Sequence, residues 1–389
     1  MRDEGAAPLT ASVVDWVIKI SRFCNLRCRY CYEMEYLADR RRMSLTQIER
    51  MFEHIAEYYR GSGKRMDFVW HGGEPLLIEP SYYAGIAALQ RRILGGAALE
   101  YRNNVQTNLT RLNEETLTLL SGFFDGVGVS LDVFGDQRVN TAGKPIEALV
   151  RGNLRILAEE GIAFGCIAVL SRKNVDRVED IYRFVETYGR SIRFLPIYRT
   201  AFFGQQDGLA LSDAQICDAY RRLVDLWLAS EQPVRVRPLE DYLINVTRKL
   251  TANSLKTYYD KQDGEVVYIV GTDGALYSLS DAYVAELCHG NIFESPLSAV
   301  VQSEGSRKAV RAARLRMRSA CGPCAMFGSC PGFFMAEATE DQRRYNEQGD
   351  LVCGVAQPVQ EYIERRLLET GIFGHRGAGG RTEGDLTKT

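Results

Sequence analysis

The 389-residue chain has no excess of either charge, since 48 Lys and Arg face 50 Asp and Glu. That balance argues against a protein that works through a sequence-independent phosphate-binding surface, so nucleic acid is not an expected partner. No stretch approaches the roughly 20 apolar residues of a membrane span, and no membrane association is expected. The opening residues, MRDEGAAPLTASVVDWVIKI, lack both an uninterrupted apolar core and a small-residue cleavage site. They do not read as a secretory signal, and a cytoplasmic location is the expectation. There is no internal repeat. What the chain does have is cysteine: ten residues, three of them within 24–31 and four within 321–353. Without a secretory signal, such grouping reads as metal ligands or reactive thiols rather than as a disulfide framework.

Between Val13 and Pro196, short β-branched or aromatic runs alternate with amphipathic helical patterns, the mark of βα units on a parallel sheet. Strands are predicted over 16–20, 67–70, 101–107, 126–131, 163–170 and 192–197, and helices over 44–60, 81–93, 113–122, 145–160 and 175–188. Ser44 with Gln47 has the pattern of a capping box. The fold class is α/β: a partial (β/α)6 TIM-like barrel with a C-terminal cysteine-bearing extension. In parallel barrels the loops after the strand C-termini converge on one mouth and carry the chemistry. The expected organisation is an N-terminal extension (1–12), the barrel (13–235), a bridging region and cluster domain (236–373) and a disordered tail (374–389).

The loop after the first predicted strand reads SRFCNLRCRYCYE, with Cys24, Cys28 and Cys31 as three thiols within eight residues. A cubane cluster has four irons, so three protein thiolates leave one iron free to take another molecule. A structural zinc knuckle would need a local fourth Cys or His, and the nearest histidine is His54, on a predicted helix. The CxxxCxxC spacing, with Tyr30 before the last cysteine, resembles the signature of the radical S-adenosylmethionine (SAM) superfamily. Further segments resemble it in order: Gly72-Gly73-Glu74 after the second strand, Gln106 and Asn108 at the end of the third, and Ser130 and Asp132 at the end of the fourth. The glycines are expected to let backbone approach the ligand closely. The resemblance implies a [4Fe–4S] cluster on Cys24, Cys28 and Cys31. It also implies a SAM site formed by Tyr30, Gly72, Gly73, Glu74, Gln106, Asn108, Ser130 and Asp132.

Near the C-terminus, Cys321, Cys324, Cys330 and Cys353 form CxxC-x5-C with a fourth cysteine 22 residues on, a closed four-thiolate set that suits either iron–sulfur or zinc. The spacing resembles the SPASM extension of radical SAM peptide maturases, which implies an auxiliary [4Fe–4S] cluster. The set is reduced. There is no cysteine between Cys217 and Cys288, Leu279 stands where the pattern has one, and Phe334 stands where another is expected. One auxiliary cluster rather than two is therefore predicted. Ser280 falls at the position of the acid that serves sulfatase maturases as a base, with Asp281 one residue further on.

The resemblance implies a radical SAM oxidoreductase that modifies a ribosomally made precursor peptide, with a flavodoxin- or ferredoxin-type electron donor. The expected modification is Cβ hydrogen abstraction and side-chain crosslinking of the cyclophane type. Only about a dozen residues precede the first predicted strand, so leader recognition is expected of the catalytic body, of a separate leader-binding protein, or not at all. The alternatives are a sulfatase-maturase-like oxidase, with Asp281 as a candidate catalytic residue, and a peptide epimerase needing a hydrogen-donor thiol. Cys166, Cys217 and Cys288 are the thiols without a ligand role, and Cys288 is the candidate to test first. From a different class comes a non-catalytic zinc or iron–sulfur binding module. The loop 198–209, YRTAFFGQQDGL, carries aromatic and basic side chains that suit either a peptide-contacting mouth or an exposed connection.

Overall fold

The computed structural model describes residues 7–8, 11–188, 191–231, 233–251, 256–264 and 267–371; the expected tail lies outside the described residues. Six parallel strands alternate with helices: β1 (Val13–Ser21), α1 (Leu45–Tyr59), β2 (Arg65–Gly72), α2 (Pro80–Ile93), β3 (Tyr101–Thr107), α3 (Glu114–Gly122), β4 (Gly126–Ser130), α4 (Glu147–Glu159), β5 (Phe164–Leu170), α5 (Val178–Glu186) and β6 (Ser191–Pro196). The helix starts follow cap chemistry. Ser44 and Gln47 close the predicted capping box on α1, and Asn113 with Thr116 closes another on α3. Beyond β6, α6 (Asp213–Ala229) starts on the Ser212–Gln215 box.

The sheet is larger than six strands. The two-residue β7 (Val236–Arg237) extends it beside β6, α7 (Leu239–Thr251) follows, and β8 (Val267–Val270) pairs parallel to β1 on the other edge. Antiparallel β9 (Ala275–Ser278) and β10 (Gly290–Asn291) continue from β8, giving ten strands in the order β10-β9-β8-β1-β2-β3-β4-β5-β6-β7. The expected (β/α)6 unit is thus present, with strands from beyond residue 235 added at both edges. No local pattern announces them, because β8 finds its partner about 250 residues away, with Val267 opposite Asp15.

The sheet curls. Asp15 on β1 is within electrostatic reach of Arg193 on β6 and Arg237 on β7, which in a flat sheet would be roughly 24–29 Å away at ~4.8 Å per strand. Along the strands, side chains alternate between two environments. Trp16, Ile18, Phe68, Trp70, Val105 and Val129 are buried under the helices, where Phe52 of α1 meets Phe68 edge-on at 5.2 Å. The opposite, concave face carries polar and small residues such as Asn104, Gln106 and Gly128, all less deeply buried. No helix among the described residues is long and apolar enough to cross a membrane. Past the sheet, α8 (Glu304–Ala320) leads into the second cysteine group, and α9 (Ala356–Glu369) packs back against α6 and α7.

Candidate active site

The first cysteine loop leaves β1 at the strand C-termini, where a βα fold gathers its loops. Its backbone is tied on two sides: Cys24 N–H donates to Leu37 O at 3.1 Å, and Arg27 and Arg29 donate to Val139 and Gln137 in the loop after β4. Cys24 and Cys28 are buried and Cys31 is half-buried. Burial, with Glu74 nearby, pushes the Cys24 thiol up to about 12. Burial likewise lifts Cys31 to about 11 and raises Cys28. Thiols this dry are not free nucleophiles; they ionise when a metal supplies the compensating charge. Cys24 feels the charges of Cys28 and Cys31, Cys31 feels that of Cys28, and this donor set fits an iron–sulfur cluster. Among the described residues no three His, Cys, Asp or Glu side chains are drawn into ligating geometry, so the ligand assignment rests on spacing and donor chemistry.

Gly72 and Gly73 do make a close approach, but to the cysteine loop rather than to open space. A Cβ on Gly72 would lie 1.9 Å from Ser21 O, and one on Gly73 would lie 2.1 Å from Phe23 O. Gly73 N–H donates to Ser21 O at 2.8 Å and Glu74 N–H to Phe23 O at 2.9 Å, locking the segment beneath Cys24. Their missing side chains thus make room for the backbone of the cysteine loop. Glu74, 2% exposed, spends its carboxylate internally. Oε1 accepts from Thr107 Oγ1 at 2.7 Å and Leu76 N at 2.9 Å, and Oε2 accepts from Asn108 N at 2.6 Å. Burial raises its pKa while those three bonds pull it down. Asn108 in turn donates to Asn25 Oδ1 at 3.0 Å and lies 3.7 Å from Cys24 Sγ. Gln106 crosses the bare Gly128 of the next strand and donates to Ser130 Oγ at 2.8 Å.

On the other flank, Tyr30 donates to Asp132, whose second oxygen accepts Val169 N at 2.7 Å. Arg138 donates to the Tyr30 hydroxyl at 2.9 Å and stands 3.8 Å from Asp132 Oδ2. This half-buried guanidinium, whose buried Nε has no partner, is a site residue that motif reading missed. It sits in a loop with no pattern of its own, though its charge reaches Cys28. A second missed group lies beside Cys31. Lys19, at the end of β1, pairs with Glu33 at 2.8 Å, hydrogen-bonds Tyr32 and lies 3.5 Å from His71 Nδ1. Burial alone would lower the Lys19 pKa, but Tyr283 and Glu33 hold it up. Burial and the Lys19 charge push His71 down to about 3, leaving it neutral, with Nδ1 accepting from Gly72 N at 2.6 Å.

The four later cysteines converge at the end of α8. Cys321 caps that helix, Cys324 N–H donates to Cys321 O at 3.0 Å, and burial followed by the charges of Cys330, Cys353 and Cys324 raises the Cys321 thiol. The positions noted for missing cysteines hold no ligand. Phe334 meets the Tyr242 ring at 4.9 Å, and Leu279 is 40% exposed. Between them runs a buried ion triad, Lys261 to Asp281 at 2.9 Å and to Glu337 at 2.7 Å. Asp281 is therefore held by an ion pair: burial would raise its pKa, but Lys261 and the Ser278 hydroxyl lower it. Of the spare thiols, Cys166 is buried on the helix side of β5, which removes it as a hydrogen donor to the concave face. Cys217 faces Gly354 O at 3.5 Å, and Cys288, half-buried, faces Gly290 O at 3.7 Å.

Residues 18–185 match the model of the Radical SAM superfamily. A serine-type anaerobic sulfatase-maturating enzyme of Bacteroides thetaiotaomicron is 30% identical over 53% of this chain and 51% of its own length. The corresponding enzyme of Klebsiella aerogenes is 24% identical over 79% of this chain and 76% of its own. Among solved structures, anSMEcpe with bound AdoMet and Cp18Cys peptide superposes with TM-score 0.71 at 20% identity, covering 92% of this chain and 98% of that one. Streptococcus suis SuiB bound to precursor peptide SuiA gives TM-score 0.56 at 16% identity, covering 84% and 72%. The sheet, the three-thiol loop and the match over residues 18–185 give this chain a radical SAM domain, and with it an enzyme whose cofactors are S-adenosylmethionine and a [4Fe–4S] cluster. The proteins it is similar to thus include two sulfatase-maturating enzymes and a protein solved with a precursor peptide, and the likeness to the solved structures lies in the fold.

Proposed function

We propose that this enzyme modifies a ribosomally synthesised precursor peptide by Cβ hydrogen abstraction and side-chain crosslinking, with Cys24, Cys28 and Cys31 holding the SAM-binding cluster. When bound, the cofactor pair supplies a 5′-deoxyadenosyl radical able to take hydrogen from an unactivated carbon. The chain's own part is to position and to exclude water. Gly73 and Glu74 brace the cysteine loop, Asn108 ties Glu74 to the Cys24 neighbourhood, and Asp132 with Arg138 fixes Tyr30 on the opposite flank. Gln106 and Ser130 offer the cofactor a polar wall on the concave face. Cys321, Cys324, Cys330 and Cys353 hold one auxiliary [4Fe–4S] cluster. A flavodoxin- or ferredoxin-type protein supplies the electron.

The observation that carries this reading is the loop of three thiols, two buried and one half-buried, clamped at the barrel mouth. The sulfatase-maturase-like alternative draws support from the relatives, but the engagement of Asp281 with Lys261 disfavours it as the base. Epimerisation would need a donor thiol, for which Cys288 is the first to test. The test is anaerobic incubation of the reconstituted enzyme with SAM and dithionite, with and without the short peptides encoded beside its gene, followed by mass spectrometry. Release of 5′-deoxyadenosine with a peptide lighter by about two hydrogens is expected. Unchanged mass with deuterium uptake from solvent would favour the epimerase, and stoichiometric zinc without iron would favour a binding module.

A further inference from the structure

At the mouth the chain runs through a tight turn, Asp281-Ala282-Tyr283-Val284, closed by Val284 N–H to Asp281 O at 3.1 Å. Ala282 has φ −54° and ψ 130°, and Tyr283 has φ +68°. This is a type II turn, whose third position requires positive φ and ordinarily holds Gly or Asn. A bulky aromatic there is strained, and strain of this kind persists where the ring has work to do.

The ring stands in a row. Tyr283 lies 5.9 Å from Tyr32, Tyr32 lies 5.9 Å from Phe202, and Tyr277 lies 6.2 Å behind Tyr283. The row joins three separate segments: the cysteine loop, the loop after β6 and the segment after β9. Its members keep large apolar faces in water, with Tyr32 39%, Tyr283 37% and Phe202 50% exposed. The strained tyrosine is also fixed in aim, since its hydroxyl donates to Glu33 Oε1 at 3.0 Å and the first residue of its turn, Asp281, is anchored by Lys261. Because Tyr32 directly follows Cys31, whatever lies on this row lies beside the reacting centre.

We infer that Tyr283, with Tyr32 and Phe202, is the substrate-reading surface, and that it takes a peptide segment presenting an aromatic side chain. The inference rests on the peptide-modifying function proposed above. An aromatic guest gains both burial and ring-edge contacts on such a row, whereas a serine gains neither. The turn itself would be more relaxed with glycine, so Tyr283 is held against local preference for the sake of its ring.

The probes are three fluorescein-labelled dodecapeptides of one Gly/Ser/Lys background with a central Trp, Leu or Ser. Their binding to the reconstituted, SAM-loaded enzyme is read by anisotropy, and 5′-deoxyadenosine release is measured on the same preparation. The Trp peptide is expected to bind about tenfold more tightly than the Ser peptide. Tyr283→Gly should abolish that preference while its thermal midpoint stays level or rises, and Tyr283→Phe should keep the affinity within about threefold. Equal binding of the three peptides, or none, by an enzyme that still releases 5′-deoxyadenosine overturns the inference and leaves the function standing. A preference that survives in Tyr283→Gly also overturns it. An iron-loaded enzyme that releases no 5′-deoxyadenosine defeats the underlying function, and the inference with it.

Discussion

Replacing Gly73 by alanine puts the bracing of the first cysteine loop to a direct test. The new Cβ would sit 2.1 Å from Phe23 O, whereas ordinary contact begins near 3.4 Å, so the carbonyl must retreat by about 1.3 Å. Phe23 immediately precedes Cys24, and its carbonyl accepts the 2.9 Å bond from Glu74 N. Loss or distortion of that bond and of Gly73 N–H to Ser21 O costs roughly 1 kcal/mol each, and overpacking adds roughly 1–3 kcal/mol, giving about 3–5 kcal/mol against the native loop. The expected outcome is a folded protein with normal far-ultraviolet dichroism that keeps its auxiliary iron but loses most of the iron of the first site. On a two-cubane enzyme the ratio falls from roughly eight irons to roughly four, and 5′-deoxyadenosine release falls with it. Gly152 in α4, where a Cβ meets nothing within 4 Å, is the control. Gly152→Ala should keep its iron and gain up to ~1 kcal/mol of stability. Wild-type iron and release rate in Gly73→Ala would refute the reasoning.

The buried triad makes Lys261→Met costly, because it leaves Asp281 and Glu337 facing each other without their cation. A loss of about 3–5 kcal/mol in urea unfolding is expected, partly recovered by adding Glu337→Gln, and a loss below ~1 kcal/mol would show that the triad is not structural. The Asp281 pKa is lowered on folding, so its contribution is present above the unfolded value and is lost as pH falls through the folded one. Asp15 is the opposite case: burial and Asp67 raise it to about 6 in the folded state. The native protein then holds a proton that the unfolded chain has released, and stability falls as pH rises from about 4 through 6. Asp15→Asn should stabilise the protein by about 1–2 kcal/mol at pH 7 and by nothing near pH 4, and equal melting points at pH 7 would disprove the shift. Cys288→Ala is expected to leave peptide modification and 5′-deoxyadenosine release unchanged, and loss of deuterium incorporation in that variant would revive the epimerase.

Much of the fold was legible because its signals are local. Ser44 with Gln47, the 3.6-residue apolar period of α1 and the alternation in β1 to β6 each operate within a few residues, where chain connectivity guarantees that the partners meet. The Cys24, Cys28 and Cys31 group could be read for the same reason. Arg138 could not, since an arginine in a loop carries no pattern until Tyr30 and Asp132 are brought to it. The Lys19–Glu33 pair was likewise invisible, as was the attachment of β8 to β1.

By itself the sequence determined the βα rhythm, the two cysteine groups and the strand ends that carry Glu74, Asn108 and Asp132, because each is a relation between near neighbours. Tertiary structure alone decided that Gly72 and Gly73 clasp the cysteine loop, that Cys166 lies behind the sheet and that Asp281 is bound by Lys261. It also decided that Tyr283 stands beside Tyr32. These are contacts between segments tens to hundreds of residues apart, which exist only once the sheet has curled and burial has priced every unpaired charge.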